Sequence, residues 1–103
     1  METVSVSHSA AGITSLLLPS WIARIETEAR TDGKNEVTVV ATKRYEREQW
    51  MAMPIAGQPS VLAVWVLLGQ GEKNITEDRV RVVVKLPPSR MSAVRVQAFQ
   101  PDA

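Results

Sequence analysis

A chain of 103 residues with a net charge of +1 is short enough to form one domain, and it carries no charge excess that would favour a polyanionic partner. Hydrophobic residues make up 45% of the chain and charged residues 22%, which is typical of a folded globular protein and excludes a disordered one. There is no cysteine, so disulfide bonds and thiolate chemistry are excluded.

The N-terminal residues are small and polar. We expect residues 1–12 to form a flexible segment or an edge strand, followed by a single β domain over residues 13–100. Val4 and Val6 alternate with serines, which favours the strand. The next stretch, "ITSLLL" (13–18), is typical of a short apolar strand or a buried turn.

Residues 21–30 alternate between apolar and charged side chains, which predicts a half-buried strand. Asp32-Gly33 is the strongest turn signal in the chain, and the β-branched stretch from residue 36 onwards is typical of a returning strand. We therefore predict an antiparallel hairpin over residues 21–45.

Residues 43–53 are compatible with two structures. Good helix formers follow Thr42, a potential cap, so at most one short helix is predicted near 43–53. As a strand, the same stretch would place Trp50 and Ala52 opposite Met51 and Met53. In either case Pro54 is expected to end the element.

The stretch from Val61 to Leu68 is entirely apolar, so its sequence does not show which face is buried. Trp65 shares a face with the small Ala63, a pairing typical of a core, and we assign this face to the interior. The opposite face is then assigned to a partner subunit or to the N-terminal segment. The predicted interface residues are Leu62, Val64, Val66 and Leu68, with Trp50 and Met53.

Two more strands are predicted over residues 77–86 and 93–99, with Pro87-Pro88 ending the first. Six or seven short strands separated by turns, with little helix, indicate an all-β fold. We predict a single-domain antiparallel sandwich or small barrel.

No motif for catalysis, metal binding or a cofactor is recognisable. His8 lies beside serines, but the chain has no nucleophile elbow around a serine, and one histidine without cysteine gives no metal-ligand spacing. Glu26 and Glu28 share a predicted strand face with Arg24 and Arg30, which favours surface ion pairs over a catalytic pair of carboxylates. We predict no cofactor and no enzymatic activity.

Two groups of cations are candidates for nucleic-acid contact, because small β-barrels bind single strands with cations and aromatic rings. They comprise Lys43, Arg44 and Arg47 near Tyr45, and Arg79, Arg81, Lys85 and Arg95 on the last two strands. The acids between them favour an ordinary solvated surface.

These features predict a non-enzymatic, self-associating structural or interaction module, such as a component of a viral or phage assembly. The alternative is a small β-barrel that binds single-stranded nucleic acid. The sequence shows little resemblance to a signal peptide, and no apolar run in it approaches the roughly 18 residues of a membrane span. We therefore expect a homo-oligomer without membrane contact, in the cytoplasm or a virion.

Overall fold

Strands dominate the computed structural model, which describes residues 3–19, 22, 24–42, 49–67 and 81–98. In these ranges the chain forms eight strands and one turn of 3-10 helix. The strands are β1 (Thr3–Ser9), β2 (Ser15–Leu18), β3 (Arg24–Ala29), β4 (Glu36–Thr42), β5 (Gln49–Ile55), β6 (Gln58–Leu67), β7 (Arg81–Leu86) and β8 (Arg95–Ala98), and the 3-10 helix is Pro88–Arg90.

The strands form two four-stranded sheets that pack as a sandwich. The strand order is β1-β4-β7-β3 in the first sheet and β5-β6-β2-β8 in the second. The predicted all-β sandwich is therefore confirmed. The sheets are mixed instead of wholly antiparallel, because β3 runs parallel to β7 and β2 runs parallel to both β6 and β8.

Both strands of the hairpin predicted over residues 21–45 are present, but the prediction that they pair with each other is wrong. β7 lies between β3 and β4, parallel to the first and antiparallel to the second. The loop between them is long enough to span two strand spacings of about 4.8 Å, and the backbone N–H of Arg30 donates to the carbonyl of Leu86 at 2.8 Å. The valine-rich strand β7 therefore has a neighbouring strand on each side, and its residues Val82 and Val84 are fully buried.

The second sheet begins with the β5–β6 hairpin. Residues 49–53, for which a helix was one of two predicted structures, belong to β5, and residues 43–48 lie outside the described ranges. The prediction that Pro54 ends the strand is wrong. Pro54 stays in β5 next to a register shift between Pro54 and Ile55, because β5 is an edge strand and needs no hydrogen bond from a proline nitrogen on its open side.

The core lies between the two sheets. β4 and β7 contribute its first-sheet side, and β2, β5 and β6 contribute the other. The largest fully buried side chains are Ile13, Leu16, Leu18, Leu62, Leu86, Val37, Val39, Val82 and Val84. Pro87 follows β7 and ends it, as predicted. The described part of the chain contains no helix that is long and apolar enough to cross a membrane.

Candidate interaction surface

The outer face of the second sheet carries four large apolar side chains in contact with solvent. Met51 is 36% exposed, Met53 44%, Trp65 48% and Leu67 53%. They lie on the hydrogen-bonded strands β5 and β6, where Met51 is the direct partner of Trp65. Direct cross-strand partners have Cβ atoms about 5 Å apart, so these side chains form one surface. We call Met51, Met53, Trp65 and Leu67 the outer patch.

The faces of β6 are the reverse of the sequence prediction. Leu62 and Val64 point into the core, with 0% and 5% exposure, whereas Trp65 points to solvent. Both faces of this strand are apolar, so its sequence alone carries no signal for the choice. The register with β5 determines which face of β6 is buried. Trp50 is buried, and its direct partner Val66 lies on the same face of β6 as Leu62 and Val64.

The predicted interface set is corrected accordingly. Leu62, Val64 and Trp50 belong to the core, and Val66 packs against it. Met53 lies on the exposed outer patch, and Leu68 lies outside the described residues. Sequence reasoning missed Met51, Trp65 and Leu67 as surface residues. The turn at Gly57 could not have revealed them, because a register shift between Pro54 and Ile55 separates this turn from the pairing of Met51 with Trp65.

The two outer faces of the sandwich differ sharply in charge. The strands of the second sheet contain one charged residue, Arg95. The strands of the first sheet contain six, which are Arg24, Glu26, Glu28, Glu36, Arg81 and Lys85. The outer face of the first sheet is rich in charge, as is usual for a surface in contact with water, whereas the outer face of the second sheet is apolar.

Five of these six charged residues form ion pairs with one another. Arg81 Nη2 donates to Glu26 Oε2 at 2.6 Å, and Arg24 Nε lies 3.3 Å from Glu26 Oε1. Lys85 Nζ lies 3.7 Å from Glu28 Oε1. The hydrogen bond from Arg81 holds the pKa of the Glu26 carboxyl below its ordinary value. Glu26 and Glu28 therefore act as partners for cations on the neighbouring strand β7.

The three predicted nucleic-acid residues that the structure describes do not share one surface. Arg81 and Lys85 lie on the first sheet and are paired with acids, whereas Arg95 lies on β8 of the second sheet. The last two strands, β7 and β8, are therefore not neighbours, and Arg95 is separated from Arg81 and Lys85. The remaining members, Lys43, Arg44, Arg47 and Arg79, lie outside the described residues.

His8 is held in a structural contact. Its Nδ1–H donates to the carbonyl of Ser9 at 2.9 Å, in the half-buried row of β1. No hydrogen bond joins it to a carboxylate in the ranges that the structure describes. In the same ranges, no group of three or more histidine, cysteine or acidic residues is arranged to hold a metal ion.

A cavity of about 470 Å³ lies between the β3–β4 loop and the 3-10 helix, and its lining includes Arg30, Lys34 and Arg90. Arg30 already donates two hydrogen bonds to Asp32, at 3.0 and 2.7 Å, and a third to Thr38. Arg90 donates to the carbonyl of Ile13. Arg30 and Arg90 hold loops against the sandwich through these hydrogen bonds, so we assign no ligand to the cavity.

The chain matches no protein-family model, and no curated protein or solved structure is significantly similar to it. The outer patch therefore has to be interpreted from its own chemistry.

Proposed function

We propose that this chain is a non-enzymatic structural module that associates with copies of itself through the outer patch, as a subunit of a larger assembly. One observation carries the proposal: Met51, Met53, Trp65 and Leu67 are exposed together on a sheet whose strands contain a single charge. Tryptophan and methionine are enriched in protein interfaces, where large side chains lose their contact with water.

A second copy fits this surface better than nucleic acid does. The outer patch offers no cation to a phosphate, and the described cations of the first sheet are paired with Glu26 and Glu28. An uncharged patch is compatible with itself, because two copies related by a twofold axis bring no like charges together.

The size of the outer patch sets the expected strength. Trp65 is 48% exposed, which leaves roughly 120 Å² of ring surface open, worth about 3 kcal/mol if it is buried. A stable interface buries about 800 Å² on each partner, more than four half-exposed side chains supply. Association also loses translational and rotational freedom. We therefore expect weak association that rises with concentration.

The test is the mass in solution over a wide range of concentration, measured by light scattering and sedimentation. The parent protein should gain mass as its concentration rises. The double variant Met51→Thr with Trp65→Thr should lose this gain, because threonine retains strand propensity and removes the apolar surface. Val83→Thr is the matched control, since it makes a similar apolar-to-threonine change on the outer face of the charged sheet.

Two results would overturn the proposal. One is a parent protein that stays monomeric at the highest concentration. The other is a double variant that associates as strongly as the parent and the control. The ultraviolet absorbance ratio of the purified protein tests the alternative function, because co-purifying nucleic acid raises absorbance in the nucleotide band.

A further inference from the structure

Methionine supplies every sulfur atom of this chain. The sequence contains four methionines and no cysteine, so no thiol competes with the thioethers for an oxidant. The structure describes three of the four, since Met1 lies outside the described residues. Met51 is 36% exposed and Met53 44% exposed, whereas Met91 is partly buried and packs against the core. The two methionines that are most open to an oxidant among those three therefore both belong to the outer patch.

Both exposed methionines are neighbours of Trp65, the largest side chain of the outer patch. Met51 is its direct cross-strand partner, and Met53, which lies opposite Ala63, is its diagonal neighbour. Direct partners have Cβ atoms about 5 Å apart and diagonal partners are roughly 7–8 Å apart, within reach of a long side chain and an aromatic ring. A thioether sulfur also attracts an aromatic ring at about 5 Å. A chemical change at either sulfur therefore acts at the centre of the patch.

We propose that Met51 and Met53 form an oxidation site, at which a hydroperoxide converts the outer patch into a surface that no longer associates. The inference rests on the proposed function, because it assigns a regulation to the same surface. A lone pair of the thioether sulfur attacks the terminal oxygen of the hydroperoxide, the O–O bond breaks, and an S–O bond forms. The proton of the transferred oxygen passes to the leaving oxygen, which departs as water or an alcohol. Sulfur loses two electrons, and the peroxide gains them.

The oxidised side chain is poorly suited to burial between two copies. Methionine sulfoxide is polar, and burying its oxygen without a hydrogen bond is unfavourable. Among the four side chains of the outer patch, the indole N–H of Trp65 is the only donor. Two oxidised patches in contact would bring together four sulfoxide oxygens and two indole N–H groups. At least two oxygens would then lack a side-chain donor, so oxidation opposes association. Sulfoxide reductases restore the thioether, which makes the change reversible.

Association and oxidation oppose each other in both directions. Contact between two outer patches removes Met51 and Met53 from solvent, so the oxidant reacts with the free chain. The weak association expected for a patch of this size leaves free chains populated at low concentration by mass action. Met91 lies outside the patch and provides a reference within the same molecule.

Hydrogen peroxide is the probe, and peptide mass spectrometry follows the oxidation of each methionine over time. At a concentration that favours the free chain, we expect Met51 and Met53 to oxidise several times faster than Met91. A higher protein concentration should slow oxidation at the first two and leave the rate at Met91 unchanged. The oxidised protein, shown to be folded by circular dichroism, should associate at least about tenfold more weakly in sedimentation, equal to about 1.4 kcal/mol. Treatment with sulfoxide reductases should restore association.

Three variants separate the chemistry of sulfur from other effects of peroxide. Met51→Leu with Met53→Leu retains an apolar patch and Trp65 but has no oxidisable sulfur there, so its association should be the same with and without peroxide. Met51→Gln with Met53→Gln places polar side chains of similar length in the patch and should associate weakly without any oxidant. Met91→Leu is the matched control, because it removes a sulfur outside the patch and should respond to peroxide as the parent does.

Failure of the oxidation site is distinguishable from failure of the proposed function. A parent protein that stays monomeric at every concentration overturns both. A parent that associates, and still associates as strongly after Met51 and Met53 are oxidised, overturns the oxidation site alone. Equal oxidation rates at Met51, Met53 and Met91 would also refute it, as would loss of association in the leucine double variant on treatment with peroxide.

Discussion

Truncating two leucines of the same strand tests which face of β6 is buried. Leu62 is 0% exposed and Leu67 is 53% exposed, and they point to opposite sides of the second sheet. Leu62→Ala opens a cavity in the core and should reduce the free energy of unfolding by about 3 kcal/mol, within the usual range of about 2–5. Leu67→Ala removes carbons that are already half in water and leaves no cavity, so its effect should stay below about 1 kcal/mol.

The difference is large for a chain of this length, whose total stability should be about 5–15 kcal/mol. Urea unfolding followed by far-ultraviolet circular dichroism measures it, at a protein concentration low enough that association does not contribute. A melting temperature should fall by about 15 °C for Leu62→Ala, and the urea slope should be the same for both variants. Equal losses, or a larger loss for Leu67→Ala, would refute the assignment of faces.

Two further predictions concern the β3–β4 loop. The pKa of Asp32 is held well below its usual value by hydrogen bonds from Arg30 and then from the backbone N–H of Lys34. The stability that this carboxylate contributes is therefore fully present above about pH 4 and is lost as the pH falls, so Asp32→Asn should flatten the acid side of a plot of urea midpoint against pH. An identical acid dependence in both proteins would contradict this. Gly33 has a φ of +74° and open space around the position of a Cβ, so Gly33→Val should lower stability by about 1–2 kcal/mol through backbone strain alone, and Gly33→Asn by less. An unchanged melting temperature in Gly33→Val would remove this explanation.

Strand positions could be predicted from this sequence because alternation and turn residues act locally. Residues 3–9 alternate valine with serine and form β1, and the positive φ of Gly33 agrees with the predicted turn. Strand pairing could not be predicted in the same way. The turn at Asp32-Gly33 is typical of a hairpin, yet β7, about fifty residues further along the chain, pairs between the two strands. Such pairing depends on burial of the whole valine-rich strand, which no local pattern encodes.

The surface was harder to predict than the core for a related reason. When both rows of a strand are apolar, composition cannot show which row faces solvent, and the size of Trp65 suggested the wrong one. The register with β5 that buries Trp50 also buries Val64 and packs the partly buried Val66 against the core. The surface ion pairs of Glu26 and Glu28 were better predicted, because these acids share a strand face with Arg24, which pairs with Glu26. Their partners Arg81 and Lys85 on β7 could not be predicted from β3 alone, and the predicted neighbour Arg30 pairs with Asp32 instead.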